Sequence, residues 1–137
     1  MKPLFYVAGP YSHKDAEVQH DRGKKHCEIT CMLLKNGHLV YSPIAETMNL
    51  SEYGDMKGNW ETWREKDIRQ LDVCDEIIVL TLDGWKESIG TRAEIKHSIK
   101  NNKTINLYYP EVDVFFSVPN HTVLRELGVD TEDELND

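Results

Sequence analysis

The stretch that decides the fold is Asp75–Ile95, DEIIVLTLDGWKESIGTRAEI. It starts with a continuous apolar run centred on Ile77 to Leu82. Such a run, short and without polar alternation, is the mark of a strand buried on both faces. A polar turn follows, and Ser88 then opens a helix that runs to about Asn101. Strand, tight connection and helix in this order form half of a parallel α/β unit.

The same unit recurs on either side. LFYVAG, Leu4 to Gly9, is apolar and flanked by Pro3 and Pro10, which predicts a buried strand. A helix is expected from about Asp15 to Asn36, with Val18, Ile29, Met32 and Leu33 on its apolar side and Gly37 as C-cap. HLVYSP, His38 to Pro43, reads as the next strand. Ile44 to Asn59 reads as a long irregular connection, of the kind that forms lids and binding loops. Trp60 to Cys74 reads as a helix and Lys103 to Tyr109 as a strand. The alternation predicts an α/β fold with a parallel sheet and helices on both faces. Ligands in such folds sit beyond the carboxyl ends of the strands. After Glu111, VDVFFSVP fits an edge strand or a cover, TVLRELG a short helix, and DTEDELND a solvated, frayed acidic end.

A length of 137 residues suits one domain, 1–137, with 111–137 as a C-terminal extension. A formal charge of -8 argues against a nucleic acid polymer as partner, yet is compatible with one small phosphate in a local pocket. No apolar stretch approaches the length of a membrane span, so no membrane partner is expected. The apolar run near Met1 is too brief for a signal peptide and reads as a strand. Three cysteines, an odd number, do not make a disulfide scaffold, and a reducing cytoplasmic setting is expected. Cys27 and Cys31 have a spacing that brings two thiolates together on a helix, but no second ligand pair is evident. There is no phosphate-binding P-loop or dinucleotide glycine motif, and neither metal nor cofactor is expected.

The carboxyl-end rule points to the turn after Gly9, the Ser42-Pro43-Ile44 turn and the Asp83 to Thr91 connection. Ser88 caps the last helix, Gly90 permits close approach to its backbone, and Thr91 lies in its first turn. The free amides there suit an anion, although capping alone accounts for the serine. Glu94 lies further along, where the helix dipole would hold it ionised; the alternative is a solvated surface glutamate. Asp67 shares the apolar stripe of Trp60, Trp63, Leu71 and Cys74. Either desolvation raises its pKa and makes it a proton donor, or it reaches water at the edge of the stripe. Tyr6 is placed either to orient a carboxylate or simply to pack. Two carboxyl groups in unlike environments are the pattern of glycosidic bond cleavage.

These segments resemble a known family. YVAGPYS (Tyr6–Ser12), SPI (Ser42–Ile44), Asp67, CDEIIVL (Cys74–Leu80) and GWKESIGTRAEI (Gly84–Ile95) are similar in order and spacing to the nucleoside 2-deoxyribosyltransferase superfamily. They are most similar to its small phage and bacterial members. The resemblance covers about Met1 to Tyr109. It implies a flavodoxin-like three-layer α/β/α sandwich, a small-molecule nucleotide or nucleoside as ligand, and a homodimer or larger homo-oligomer. It implies that Glu94 is the nucleophile toward the sugar C1′, that Tyr6 positions it, and that Asp67 handles the base and its proton. Ser88 stands where transferases carry an aspartate for the sugar 5′-hydroxyl. Serine there is the pattern of members that hydrolyse nucleoside 5′-monophosphates, with the phosphate on the helix start. The expectation is a hydrolase of the N-glycosidic bond of a (deoxy)nucleoside 5′-monophosphate. Two rivals stand beside it: base exchange on free nucleosides, and a non-catalytic nucleotide-binding module or sponge. Trp63 and Trp85 are candidates to stack on the base, the alternative being that both are simply core or lid residues.

Overall fold

Three of the expected apolar runs form the centre of one sheet. In the structure, a computed structural model that describes residues 1–135, these are β1 (Leu4–Ala8), β3 (Glu76–Leu80) and β4 (Thr104–Tyr109). The short β2 (Leu39–Tyr41) and β5 (Val114–Val118) are the edges. The strand order is β2-β1-β3-β4-β5. β1 pairs in parallel with β2 and with β3, and β3 with β4. This is the flavodoxin-like order, and the chain reverses its direction of travel between β1 and β3. β5 departs from the all-parallel expectation by pairing antiparallel with β4. The reason is the tight turn between them, closed by the Asp113 N–H on the Tyr109 carbonyl at 2.9 Å with Asp113 at φ 52°. A turn that short leaves no room for the crossover that a parallel neighbour needs.

The strand residues alternate between two cores. Tyr6, Ala8, Ile77, Val79, Ile105 and Leu107 pack with Leu71 of α4 (Trp60–Val73) and Ile95 of α5 (Ile89–Lys100). Phe5, Val7, Ile78, Leu80 and Tyr108 pack on the other face with Ile29 and Leu33 of α1 (Ala16–Lys35). The molecule is thus a three-layer α/β/α sandwich. α1 starts at Asp15, whose carboxylate accepts the Glu17 N–H at 2.9 Å. It ends in a Schellman turn in which Gly37, at φ 89°, and His38 donate to the Leu34 and Leu33 carbonyls.

Further expectations need correction. Ile44 to Asn59 is only partly irregular, since α2 (Pro43–Thr47) and α3 (Leu50–Gly54) occupy most of it. Pro43 at the first helical position and the Glu46 carboxylate on the Ser42 N–H (2.8 Å) start α2. Ser42 therefore leaves the sheet as a helix cap, and β2 is shorter than His38–Pro43. The strand expected to reach Leu82 stops at Leu80. Finally, the acidic end is not frayed up to Leu135. After α6 (Asn120–Glu126), the 3-10 helix Glu132–Glu134 delivers Leu135 into the first core, where it is 1% exposed. Lys100 pairs with Asp133 at 3.1 Å beside it. Residues 136 and 137, the last two of the expected acidic end, lie outside the described residues.

Candidate active site

The β1/β3 reversal opens a cavity of about 570 Å³, a size that holds small ligands. Gly9, Pro43, Asp67, Ser88, Gly90, Thr91 and Glu94 line it. Tyr6 and Ser42 stand behind the wall rather than on it, both fully buried. The Tyr6 hydroxyl, from β1, donates to Glu94 Oε2, from α5. The sheet thus fixes the carboxylate from behind.

Burial decides the open alternatives. Glu94 is 6% exposed and Asp67 is 8% exposed, so neither is a solvated surface acid. Burial lifts Glu94 to about 8; the Tyr6 hydrogen bond pulls it down and the Asp67 charge pushes it up. This corrects the expectation of a glutamate held ionised by the helix dipole. Glu94 lies beyond the first turn of α5, where the dipole has largely faded, and loss of water dominates. Burial likewise raises Asp67 to about 6, against the neighbouring Lys66 ammonium. The Tyr6 phenol is pushed well above its ordinary range, first by burial and then by Glu94 and Asp67, so it stays a donor. At neutral pH the buried pair therefore holds one proton, shared between two interacting acids.

Several buried polar atoms around this pair have no partner among the described residues: Asp67 Oδ1, Thr91 Oγ1 and Ser42 Oγ. Buried polar groups are normally satisfied, and each exception calls for a cause. For Asp67 and Thr91, on the cavity wall, a polar ligand is such a cause. Ser88 Oγ accepts the Thr91 N–H at 3.3 Å as the N-cap, and the amides of Ile89 and Gly90 belong to the helix turn that has no internal acceptors.

The two glycines are explained by packing. A Cβ at Gly9 would stand 2.9 Å from Cε1 of His26, and one at Gly90 would stand 3.1 Å from Cε3 of Trp60. What closely approaches Gly90 is thus the Trp60 indole. His26 is fully buried under the β1 turn, its Nε2 3.2 Å from the Pro10 carbonyl, and burial lowers it to about 4. It is a neutral strut.

The apolar half of the cavity is built by Tyr11, Ile44, Met48, Met56, Trp60 and Trp63. Trp63 donates its indole N–H to the Lys57 carbonyl at 2.7 Å, and the Ser12 hydroxyl donates to the Gly58 carbonyl; together they fasten the segment between α3 and α4 over the cavity. Trp85 does not line it and belongs to the first core. Tyr11, the two methionines and the cation Arg22 escape a reading of the sequence, because no local pattern marks residues that meet only through the fold. Cys27 and Cys31 do not form a metal site with a third ligand: among the described residues no group of three metal-ligating side chains occurs. No helix among them is long and apolar enough to cross a membrane.

A family model described as Domain of unknown function (DUF1937) matches residues 3–110. The chain belongs to the DUF1937 family. The match spans β1 to β4 and includes every residue placed at the cavity; β5, α6 and the 3-10 helix of this DUF1937 protein lie beyond it. No curated protein matches the chain.

Proposed function

We propose that this DUF1937 protein cleaves the N-glycosidic bond of a (deoxy)nucleoside 5′-monophosphate, with Glu94 as nucleophile. The observation that carries the reading is the Tyr6 hydroxyl hydrogen-bonded to a buried Glu94 on a cavity that Asp67 also lines. A purely packed glutamate would not be expected to face a cavity beside a second, unsatisfied acid. The resemblance to nucleoside 2-deoxyribosyltransferases supports the same assignment.

The chemistry follows from the two acids. Asp67 gives its proton to the departing base while the C1′–N bond breaks and its electron pair leaves with the base. The Glu94 carboxylate bonds to C1′ as positive charge develops there. Water then attacks C1′, the Glu94–C1′ bond breaks, and the released proton returns to Asp67. Ser88 and the first amides of α5 receive the phosphate. Before substrate binds, the shared proton favours Glu94, the more strongly raised of the two, over Asp67. The reactive arrangement is the converse and has a free-energy cost. The Tyr6 hydrogen bond and the cationic sugar both favour the ionised Glu94, and so oppose that cost.

Incubation with the common nucleosides and their 5′-monophosphates, followed by chromatography for free base, tests the reading. Base release from monophosphates, lost in Glu94→Gln, is the expected result. Exchange between bases without net hydrolysis would mark a transferase, and no release from any of them refutes the enzymatic reading.

A further inference from the structure

Among the described residues, Arg22 is the one guanidinium on the cavity wall. It projects from α1, yet its two contacts are on the loops that follow β1 and β3. Nη1 donates to the Ser12 carbonyl at 2.9 Å and Nη2 to the Asp83 carbonyl at 3.2 Å. Both acceptors are neutral, and among the described residues no carboxylate pairs with it. The remaining N–H donors and the whole charge are left for something else.

The chain makes room for this side chain. Gly84 has φ 90°, and a Cβ there would stand 2.4 Å from Nη2. Any other residue at 84 would both strain the backbone and displace the guanidinium. From Gly84 the connection turns directly into the start of α5, through the Glu87 N–H on the Gly84 carbonyl at 3.2 Å. Arg22 and Ser88 are therefore held by the same connection.

Charge gives the arrangement its meaning. The molecule carries -8 overall, and Glu87 puts a carboxylate on the cavity wall next to Ser88. A helix start alone shifts anion affinity only a few-fold and would face that carboxylate. A fixed, planar guanidinium matches a phosphate with two parallel hydrogen bonds and does so far more strongly.

We propose that Arg22 is the residue that recognises the substrate's phosphate and makes the cavity select nucleotides over nucleosides. This rests on the nucleotide reading above. Ser12 and Asp83 aim the guanidinium, and Gly84 clears its path.

The test compares Arg22→Met with the parent protein on 5′-monophosphates and on the matching nucleosides. The expected result is a KM for the monophosphate raised about ten- to a hundredfold, the range of a charged hydrogen bond, with kcat much less affected. The nucleoside KM changes far less, and Arg22→Lys, which keeps the charge, recovers part of the loss. Should Arg22→Met fail to fold, Arg22→Gln, which retains a donor for the loop carbonyls, carries the same comparison. Equal losses on nucleotide and nucleoside, without recovery by lysine, would show a mere strut between loops and overturn the proposal. So would an unchanged monophosphate KM, which would leave the glycosidase reading intact. A parent protein that acts on no monophosphate removes both.

Discussion

Glu94→Gln should stabilise the protein, and the gain should grow with pH. Burial raises Glu94 from the ordinary 4.5 to about 8. Between those values the native state keeps the proton while the unfolded chain has released it. Raising the pH therefore favours the unfolded chain, and the stability associated with the protonated carboxyl is lost progressively up to about pH 8. At about 1.4 kcal/mol for each pH unit, the ceiling is roughly 5 kcal/mol. Asp67 behaves likewise only up to about 6, so from there to about 8 Glu94 acts alone of the two. Over that window the parent should lose about 3 kcal/mol relative to Glu94→Gln. Glutamine has no proton to lose and can still accept from the Tyr6 hydroxyl. At roughly 4 °C per kcal/mol for a chain of this size, the gap in melting temperature should widen by about 10 °C. The assay is thermal unfolding of both proteins followed by circular dichroism across that pH range, where changes from all other groups are common to both. Parallel curves of melting temperature against pH would refute the reasoning, because they would mean that Glu94 is ionised in the native state at neutral pH.

Other expectations follow from the same geometry. The pH profile of kcat/KM for base release should be bell-shaped, with limbs near 6 and 8 that belong to the Asp67–Glu94 pair; a flat profile from about pH 5 to 9 would exclude the pair as the acid and base. Tyr6→Phe removes the hydrogen bond that holds Glu94 down, so the alkaline limb should move up and the rate at neutral pH fall about tenfold or more, read from the same profile. Leu135→Ala should cost about 2–5 kcal/mol in urea unfolding, whereas a frayed tail would give no change. The edge strand β5 exposes Val114 and Phe116, next to Val112, and we expect self-association; a monomer mass by light scattering at micromolar concentration would exclude it.

The layers of the fold were legible because each rests on a local signal. The continuous run of Ile77 to Leu80 requires burial on both sides, and the helix starts expected near Asp15, Trp60 and Ser88 are where the structure places them. What was not legible depends on partners distant in sequence. The antiparallel turn of β5 is decided by how little chain separates Tyr109 from Val114. Leu135 looks like part of a solvated acidic end until α5 and α6 supply the core that takes it. The candidate site divides in the same way. Asp67 stood out because an acid on an apolar stripe is anomalous within its own helix. Arg22 did not, because a cation on a charged helix is ordinary until the loops after β1 and β3 bring carbonyls to it. Glu94 is the instructive case. Its position could be read from the helix start, but its charge could not, because the dipole of the first turn is a weak local effect and the burial that outweighs it is made by the whole sheet. That inversion bears on mechanism: if the cavity is an active site, the proton that rests on Glu94 must move when substrate binds.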